Sequence, residues 1–150
     1  MNKEITLRTL EDAKLKHLQQ MEKIKLLVAH KSVETPTPLS KVECHFGQLF
    51  YGNKDSFYTI VGAQFYEKLD KLHEDWHKEY AKIYAIFFQE NKNGFLNKLL
   101  GKDKIDPLQY DKAKLYYREL EAITQELVRL LDISLRRVQA LSESKFKVKS

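Results

Sequence analysis

The chain has 150 residues, a formal net charge of +5 and a single cysteine. This length suits one domain, and one cysteine excludes an intramolecular disulfide. No run approaches the roughly 20 apolar residues of a membrane-spanning helix, and the N-terminus lacks the apolar centre of a signal peptide, so we expect a cytoplasmic protein without membrane insertion. The positive charge is modest and no nucleic-acid motif accompanies it, so we expect no nucleic-acid partner.

The first predicted helix covers residues 7–29, because apolar side chains recur at helical spacing along it. His17 falls within this apolar stripe and should therefore face the interior. Two prolines in the segment 34–40 end the helix. The stripe consists of Leu10, Ala13, His17, Met21, Ile24 and Val28.

A short second helix is expected to begin at Ser40, since Ser40 and Glu43 have the spacing of a capping box. This helix would carry Cys44 on an inward-facing stripe and would stop near Gly52. The following residues, 53–56, read as a turn.

The third predicted helix is long and continuous, from residue 57 to residue 89. His73 and His77 are four residues apart, so they should lie one turn apart on the same face. We interpret the aromatic residues that follow the same period as core. These are Trp76, Tyr80, Tyr84 and Phe87.

The fourth predicted helix covers residues 107–141, with Asp106 as its N-cap and Pro107 at its first position. Between it and the third helix lies a loop that contains at most one helical turn, at residues 95–100. Three long helices and one short Cys-bearing helix predict an all-α, four-helix bundle. We expect one domain over residues 1–150, with a core at 7–141 and a mobile tail at 142–150.

Residues 73–77 match the H-E-x-x-H pattern of zinc peptidases, in which Glu74 would be the general base. A catalytic zinc also needs a third protein ligand and an open position for water. The histidine that would extend the pattern is replaced by Ile83, and nothing singles out a glutamate on the fourth helix. We predict no enzymatic activity and keep a small metallopeptidase as an alternative.

A closed metal site explains the same histidines together with the single cysteine. His17, Cys44, His73 and His77 fall on inward-facing stripes of three different helices. Three neutral imidazoles and one thiolate satisfy the tetrahedral preference of Zn²⁺ and leave no position for water. A metal-free helical interaction protein, in which the histidines are incidental, remains a third alternative.

The order of these residues resembles the chemoreceptor zinc-binding (CZB) domain. The resemblance lies in a first histidine, His17, then Cys44-His45-Phe46-Gly47, and then His73 with His77. It covers roughly residues 10–140. The chain departs from the family at Leu49, where a tryptophan is usual, and near Gln20, where an aromatic residue is frequent.

The resemblance implies a four-helix bundle with a three-His, one-Cys zinc site that regulates rather than catalyses. Domains of this family control chemotaxis receptors and diguanylate cyclases, report zinc or oxidants, and form homodimers. Oxidation of Cys44 would release one ligand. Phe57, Phe95 and Leu99 are candidate exposed residues for a dimer surface, whereas His30 and His45 should be solvated.

Overall fold

A computed structural model of the chain describes residues 2–29, 31, 40–88 and 105–146, and every regular element in these ranges is helical. The predicted all-α class is therefore confirmed for this part of the chain, but the predicted number of helices is one too small. The described helices are α1 (Lys3–Val28), α2 (His45–Gly52), α3 (Lys54–Val61), α4 (Ala63–Phe87) and α5 (Pro107–Ala140), followed by a 3₁₀ turn at Glu143–Phe146.

The predicted third helix is interrupted at Gly62, where the chain has φ 90° and ψ 151°. This backbone conformation is essentially restricted to glycine, and it ends α3 before α4 begins. The expected turn at 53–56 is also wrong beyond its first residue, because Lys54 already begins α3. A glycine inside a helical pattern is compatible with a continuous helix, which is why periodicity did not reveal the break.

The predicted start of the second helix at Ser40 is wrong, because α2 begins at His45 with Cys44 as its N-cap. Ser40 instead closes a turn, in which its carbonyl oxygen accepts from the Glu43 N–H at 3.1 Å. Its hydroxyl accepts from the Val42 N–H at 3.2 Å. The capping-box residues therefore satisfy a tight turn just before the helix rather than the helix itself.

Side chains cap the N-termini of α1 and α5. Asn2 caps α1, its Oδ1 accepting from the Ile5 N–H at 2.8 Å. Asp106 caps α5 by accepting from the Leu108 N–H at 2.9 Å, which confirms the predicted start. Lys3 Nζ donates to the carbonyl oxygen of Leu141, the C-cap of α5, at 2.8 Å. A side chain from the start of α1 therefore provides a hydrogen-bond donor for the C-terminal end of α5.

The core lies where α1 and α4 pack against α5, with α2 against α1 and α3 against α4. The α1 stripe is buried throughout, as predicted, and Trp76 and Tyr80 are fully buried. Phe57 is fully buried as well, so its assignment to an exposed dimer surface is wrong. Phe95 and Leu99 lie outside the described residues. Phe146 is buried against the core, whereas residues 147–150 lie outside the described ranges.

None of the described helices combines the length and the apolar character that crossing a bilayer requires.

Replacing Gly62 by alanine should destabilise the fold by about 1–3 kcal/mol, because the backbone conformation at this position is strained for any residue with a Cβ. An added Cβ would meet no atom within 4 Å, so the cost is backbone strain alone. Urea unfolding measures it. Gly52→Ala is the matched control, since its Cβ also meets nothing within 4 Å and its backbone is helical. Equal midpoints for the two variants would contradict the expectation.

Candidate metal centre

His17 lies in the middle of α1 with only 5% of its surface exposed. Its Nδ1 is 2.7 Å from the carbonyl oxygen of Ala13, one turn earlier in the same helix. A carbonyl can only accept, so Nδ1 carries the proton and donates. The neutral ring therefore has its lone pair on Nε2, which is the form that binds a metal ion.

His73 and His77 lie one turn apart on α4, and their Nε2 atoms are 3.1 Å apart. Nδ1 of His73 is 3.2 Å from the hydroxyl oxygen of Tyr51. That hydroxyl donates to Oδ1 of Asp70 at 2.7 Å, because a carboxylate only accepts. The tyrosine oxygen is thus an acceptor for Nδ1–H, and the Nε2 lone pair of His73 points toward its two neighbouring ligands.

Cys44 adds a sulfur atom from the start of α2. Its Sγ accepts from the Gly47 N–H at 3.3 Å, as an N-cap does, and lies 3.3 Å from Nε2 of His73. The thiol donates to the Lys41 carbonyl oxygen at 3.4 Å. The helix N-terminus therefore fixes the position of the sulfur and offers a donor that would stabilise a thiolate.

All four sequence-predicted ligands converge, since one donor atom from each of His17, Cys44, His73 and His77 lies within 4.8 Å of the other three. Tetrahedral zinc, with bonds of about 2.0–2.3 Å, separates its ligand atoms by about 3.3–3.6 Å. The separations around His73, 3.1 Å and 3.3 Å, are close to that value. The donor set and its spacing fit a metal ion with small movements of the side chains.

The electrostatic environment keeps the imidazoles of His17 and His73 neutral. Burial lowers the pKa of His17, although its hydrogen bond to Ala13 acts in the opposite direction. Burial, helped by the neighbouring histidines and Lys41, lowers the pKa of His73 to about 2. Burial raises the pKa of the Cys44 thiol, against which the backbone N–H groups of α2 act. His17, His73 and the Cys44 thiol are therefore uncharged in the metal-free protein, and a bound cation would supply the charge that favours the thiolate.

Aromatic side chains shield the site. Trp76 is fully buried and meets the rings of His17 and His77 edge-on, with centroid separations of 4.9 Å and 5.0 Å. Its indole N–H donates to the Thr124 hydroxyl on α5 at 2.8 Å. Phe46 packs edge-on against His73 at 4.9 Å. The site is thereby closed toward the core and connected to α5 by one buried hydrogen bond.

The two acidic residues within H-E-x-x-H point elsewhere. Glu74 lies 3.6 Å from Lys78 Nζ, and Asp75 lies 2.8 Å from Lys71 Nζ, in pairs that are partly or largely exposed. His45 is exposed next to Cys44, whereas His30 lies outside the described residues.

Sequence reasoning missed Tyr51, Asp70 and Lys41, which surround His73 and the Cys44 turn. The only available signal was local: Asp70 precedes His73 by three residues, so both lie on neighbouring positions of one helix face. Tyr51 reaches His73 across 22 positions of sequence, and no pattern connects them.

Comparisons with protein-family models, with curated proteins and with solved structures each found no match to this chain.

The lowered pKa values predict that the metal-free protein loses stability in acid. The unfolded chain binds protons at its histidines below a pKa of about 6.5, whereas buried His17 and His73 do not, so stability is present above that pH and is lost as pH falls. At pH 5 the loss from His73 is about 2 kcal/mol, and the lowered pKa of His17 acts in the same direction. Urea midpoints of chelator-treated protein at pH 7.5 and 5 measure it. The exposed-site variant His45→Gln should show the same dependence, and a midpoint that does not fall would contradict the prediction.

Gly47 is required by the close passage of the Cys44 turn. A Cβ at position 47 would lie 1.6 Å from the Lys41 carbonyl oxygen, which is backbone and cannot rotate away. Gly47→Ala should therefore displace the turn and lower the free energy of unfolding by about 1–3 kcal/mol, as overpacking does. Urea unfolding beside the Gly52→Ala control tests this, and wild-type stability of Gly47→Ala would refute it.

Proposed function

We propose that the protein is a zinc-binding regulatory module, similar to the CZB domains, that acts on a signalling partner. One observation carries the proposal: three buried imidazoles and one thiol, from α1, the start of α2 and α4, place their donor atoms within 4.8 Å of one another. Burying polar groups is costly unless they are paired or bind a metal, so a convergence of four such donors is best explained by an ion that uses all four.

The donor set favours zinc over other common ions. Calcium and magnesium prefer oxygen ligands, whereas imidazole nitrogen with one thiolate suits the borderline-soft Zn²⁺. Four protein donors complete a tetrahedron, which is the arrangement of structural and regulatory zinc sites rather than catalytic ones. The hydrogen bonds of His17 and His73 through Nδ1 leave Nε2 for the metal in both.

Regulation is favoured over peptide hydrolysis by the surroundings of Glu74. A hydrolytic site needs a zinc-bound water and a base beside it. The Glu74 carboxylate instead pairs with Lys78, 3.6 Å away. Three histidines and Cys44 occupy the four positions of a tetrahedral ion. The activity of a small metallopeptidase would require one of these ligands to be absent.

A regulatory role also fits the way the site joins the helices. Bound zinc would cross-link α1, the Cys44 turn and α4. The hydrogen bond from Trp76 to Thr124 extends this connection to α5. Occupancy can therefore bias the packing of the whole bundle, which is the change that a partner such as a chemoreceptor or a diguanylate cyclase would detect.

The proposal includes three further properties that follow from the resemblance. The module acts as a homodimer, it works in the reducing cytoplasm, and it is redox-sensitive through Cys44. The partial exposure of Cys44 supports the last property, because oxidation requires an accessible thiol, whereas the three histidines are buried. Oxidation of the thiolate would remove one of the four zinc ligands.

Metal analysis of protein purified under reducing conditions without chelators tests the proposal. We expect one zinc per chain, because the four donors complete one tetrahedral site. Cys44→Ala should lose or greatly weaken zinc binding. Two control variants should retain one zinc per chain: Glu74→Gln, which lies between His73 and His77 in the sequence, and His45→Gln, which follows Cys44.

The outcomes separate the alternatives. Absence of zinc from the wild-type protein, and no uptake after reconstitution, would favour a metal-free interaction protein. Cleavage of a peptide library that is abolished by Glu74→Gln and retained by Cys44→Ala would favour the peptidase.

A further inference from the structure

We propose that Tyr51, Asp70 and Lys41 are positioning residues of the metal centre: their hydrogen bonds hold His73 in its metal-binding tautomer and fasten the Cys44 turn to α4. The inference rests on the proposed function, which it deepens by assigning residues outside the ligand set. It concerns the preformation of the site, which can be measured in metal-free protein as well as through binding.

The first step is the tautomer of His73. Its Nδ1 lies 3.2 Å from the Tyr51 hydroxyl oxygen, and that hydroxyl donates its hydrogen to Asp70 at 2.7 Å. The oxygen can then only accept from His73, which requires a proton on Nδ1. Nε2 is left without a proton, and it faces His77 and Cys44 at 3.1 Å and 3.3 Å.

The second step connects this arrangement to the thiol. Lys41 Nζ donates to Oδ1 of Asp70 at 3.0 Å, the same oxygen that accepts from Tyr51. The backbone carbonyl of Lys41 accepts from the Cys44 sulfur at 3.4 Å. Lys41 therefore joins the turn that carries the thiol to the carboxylate on α4.

These contacts form a closed circuit. It runs from Cys44 through Lys41, Asp70 and Tyr51 to His73, whose Nε2 returns to the Cys44 sulfur at 3.3 Å. In the metal-free protein, two candidate ligands from different elements are thus held close together by groups that are not candidate ligands, namely the Lys41 backbone and the side chains of Lys41, Asp70 and Tyr51. Groups that orient metal ligands in this way typically raise metal affinity about 10–100-fold.

The Lys41 side chain also covers the ring of Tyr51, with Nζ 5.0 Å from the ring centroid. The ion pair with Asp70 is partly exposed, with 28% and 37% of the two side chains accessible. We therefore assign the Lys41–Asp70 ion pair a role in positioning the Cys44 turn and not in the net stability of the fold, because ion pairs at this exposure stabilise folds little.

Two pairs of variants test the inference. Tyr51→Phe removes only the hydroxyl, and Asp70→Asn removes the charge that orients it. Their matched controls on α4 are Tyr84→Phe, a half-buried tyrosine about two turns beyond His77, and Asp75→Asn, a carboxylate paired with Lys71 on another face. Zinc affinity, measured by competition with a chromophoric chelator, should fall about 10–100-fold in the first pair only.

Two spectroscopic readouts separate positioning from general stability. In metal-free protein, ¹⁵N NMR of the imidazoles should show His73 protonated on Nδ1, and Tyr51→Phe should shift its proton toward Nε2. In Co²⁺-loaded protein, the thiolate-to-cobalt absorption should weaken in Tyr51→Phe and persist in Tyr84→Phe. A variant that is merely less stable would change neither signal below its unfolding transition.

Wild-type affinity and an unchanged His73 tautomer in Tyr51→Phe would overturn the inference, as would equal losses in the controls. Failure of the proposed function looks different. If wild-type protein binds no zinc, the NMR measurement on metal-free protein still decides whether Tyr51 sets the tautomer of His73.

Discussion

The burial of His73 is the constraint on which the rest of the site depends. Its ring is fully enclosed, yet it has a polar nitrogen on each side that must be satisfied. One nitrogen is satisfied by Tyr51. The other faces Nε2 of His77 at 3.1 Å and the sulfur of Cys44 at 3.3 Å, so three possible donor atoms for a cation meet at this point. A cation accepts all of these lone pairs at once, which is why the cluster is chemically coherent as a metal centre.

The candidate ligands come from different kinds of backbone. α1 and α4 pack along α5 and hold three imidazoles on continuous helical backbone. The thiol instead lies at a helix N-cap after a tight turn, where Gly47 permits the backbone to approach the Lys41 carbonyl. Lys41, at the start of this turn, and Tyr51, in α2, both donate to Asp70 on α4 and so connect the turn to that helix.

Much of the fold was predictable because buried faces repeat with the helical period. The stripe of α1 and the capped start of α5 follow directly from this periodicity and from local capping chemistry. The break at Gly62 was not predictable, since a glycine can continue a helix or end one. The capping box at Ser40 misled for a related reason: its residues serve a turn and a helix start equally well. Phe57 was wrongly assigned to an exposed surface. It was predicted to be the first residue of a helix, and at that position the apolar pattern does not show which face is buried.

The sequence by itself determined the all-helical class and the inward position of the three candidate histidines, because helical periodicity is local and survives in any packing. It also supplied the chemistry, since the chain offers three histidines on those stripes and one cysteine, which the structure places at the N-cap of α2. Only the tertiary structure decided that the four donors meet within 4.8 Å, and that Tyr51, Asp70 and Lys41 stand behind them. Those contacts join elements distant in sequence, and their distances are set by how the helices pack and where the turns bend, which no local pattern encodes.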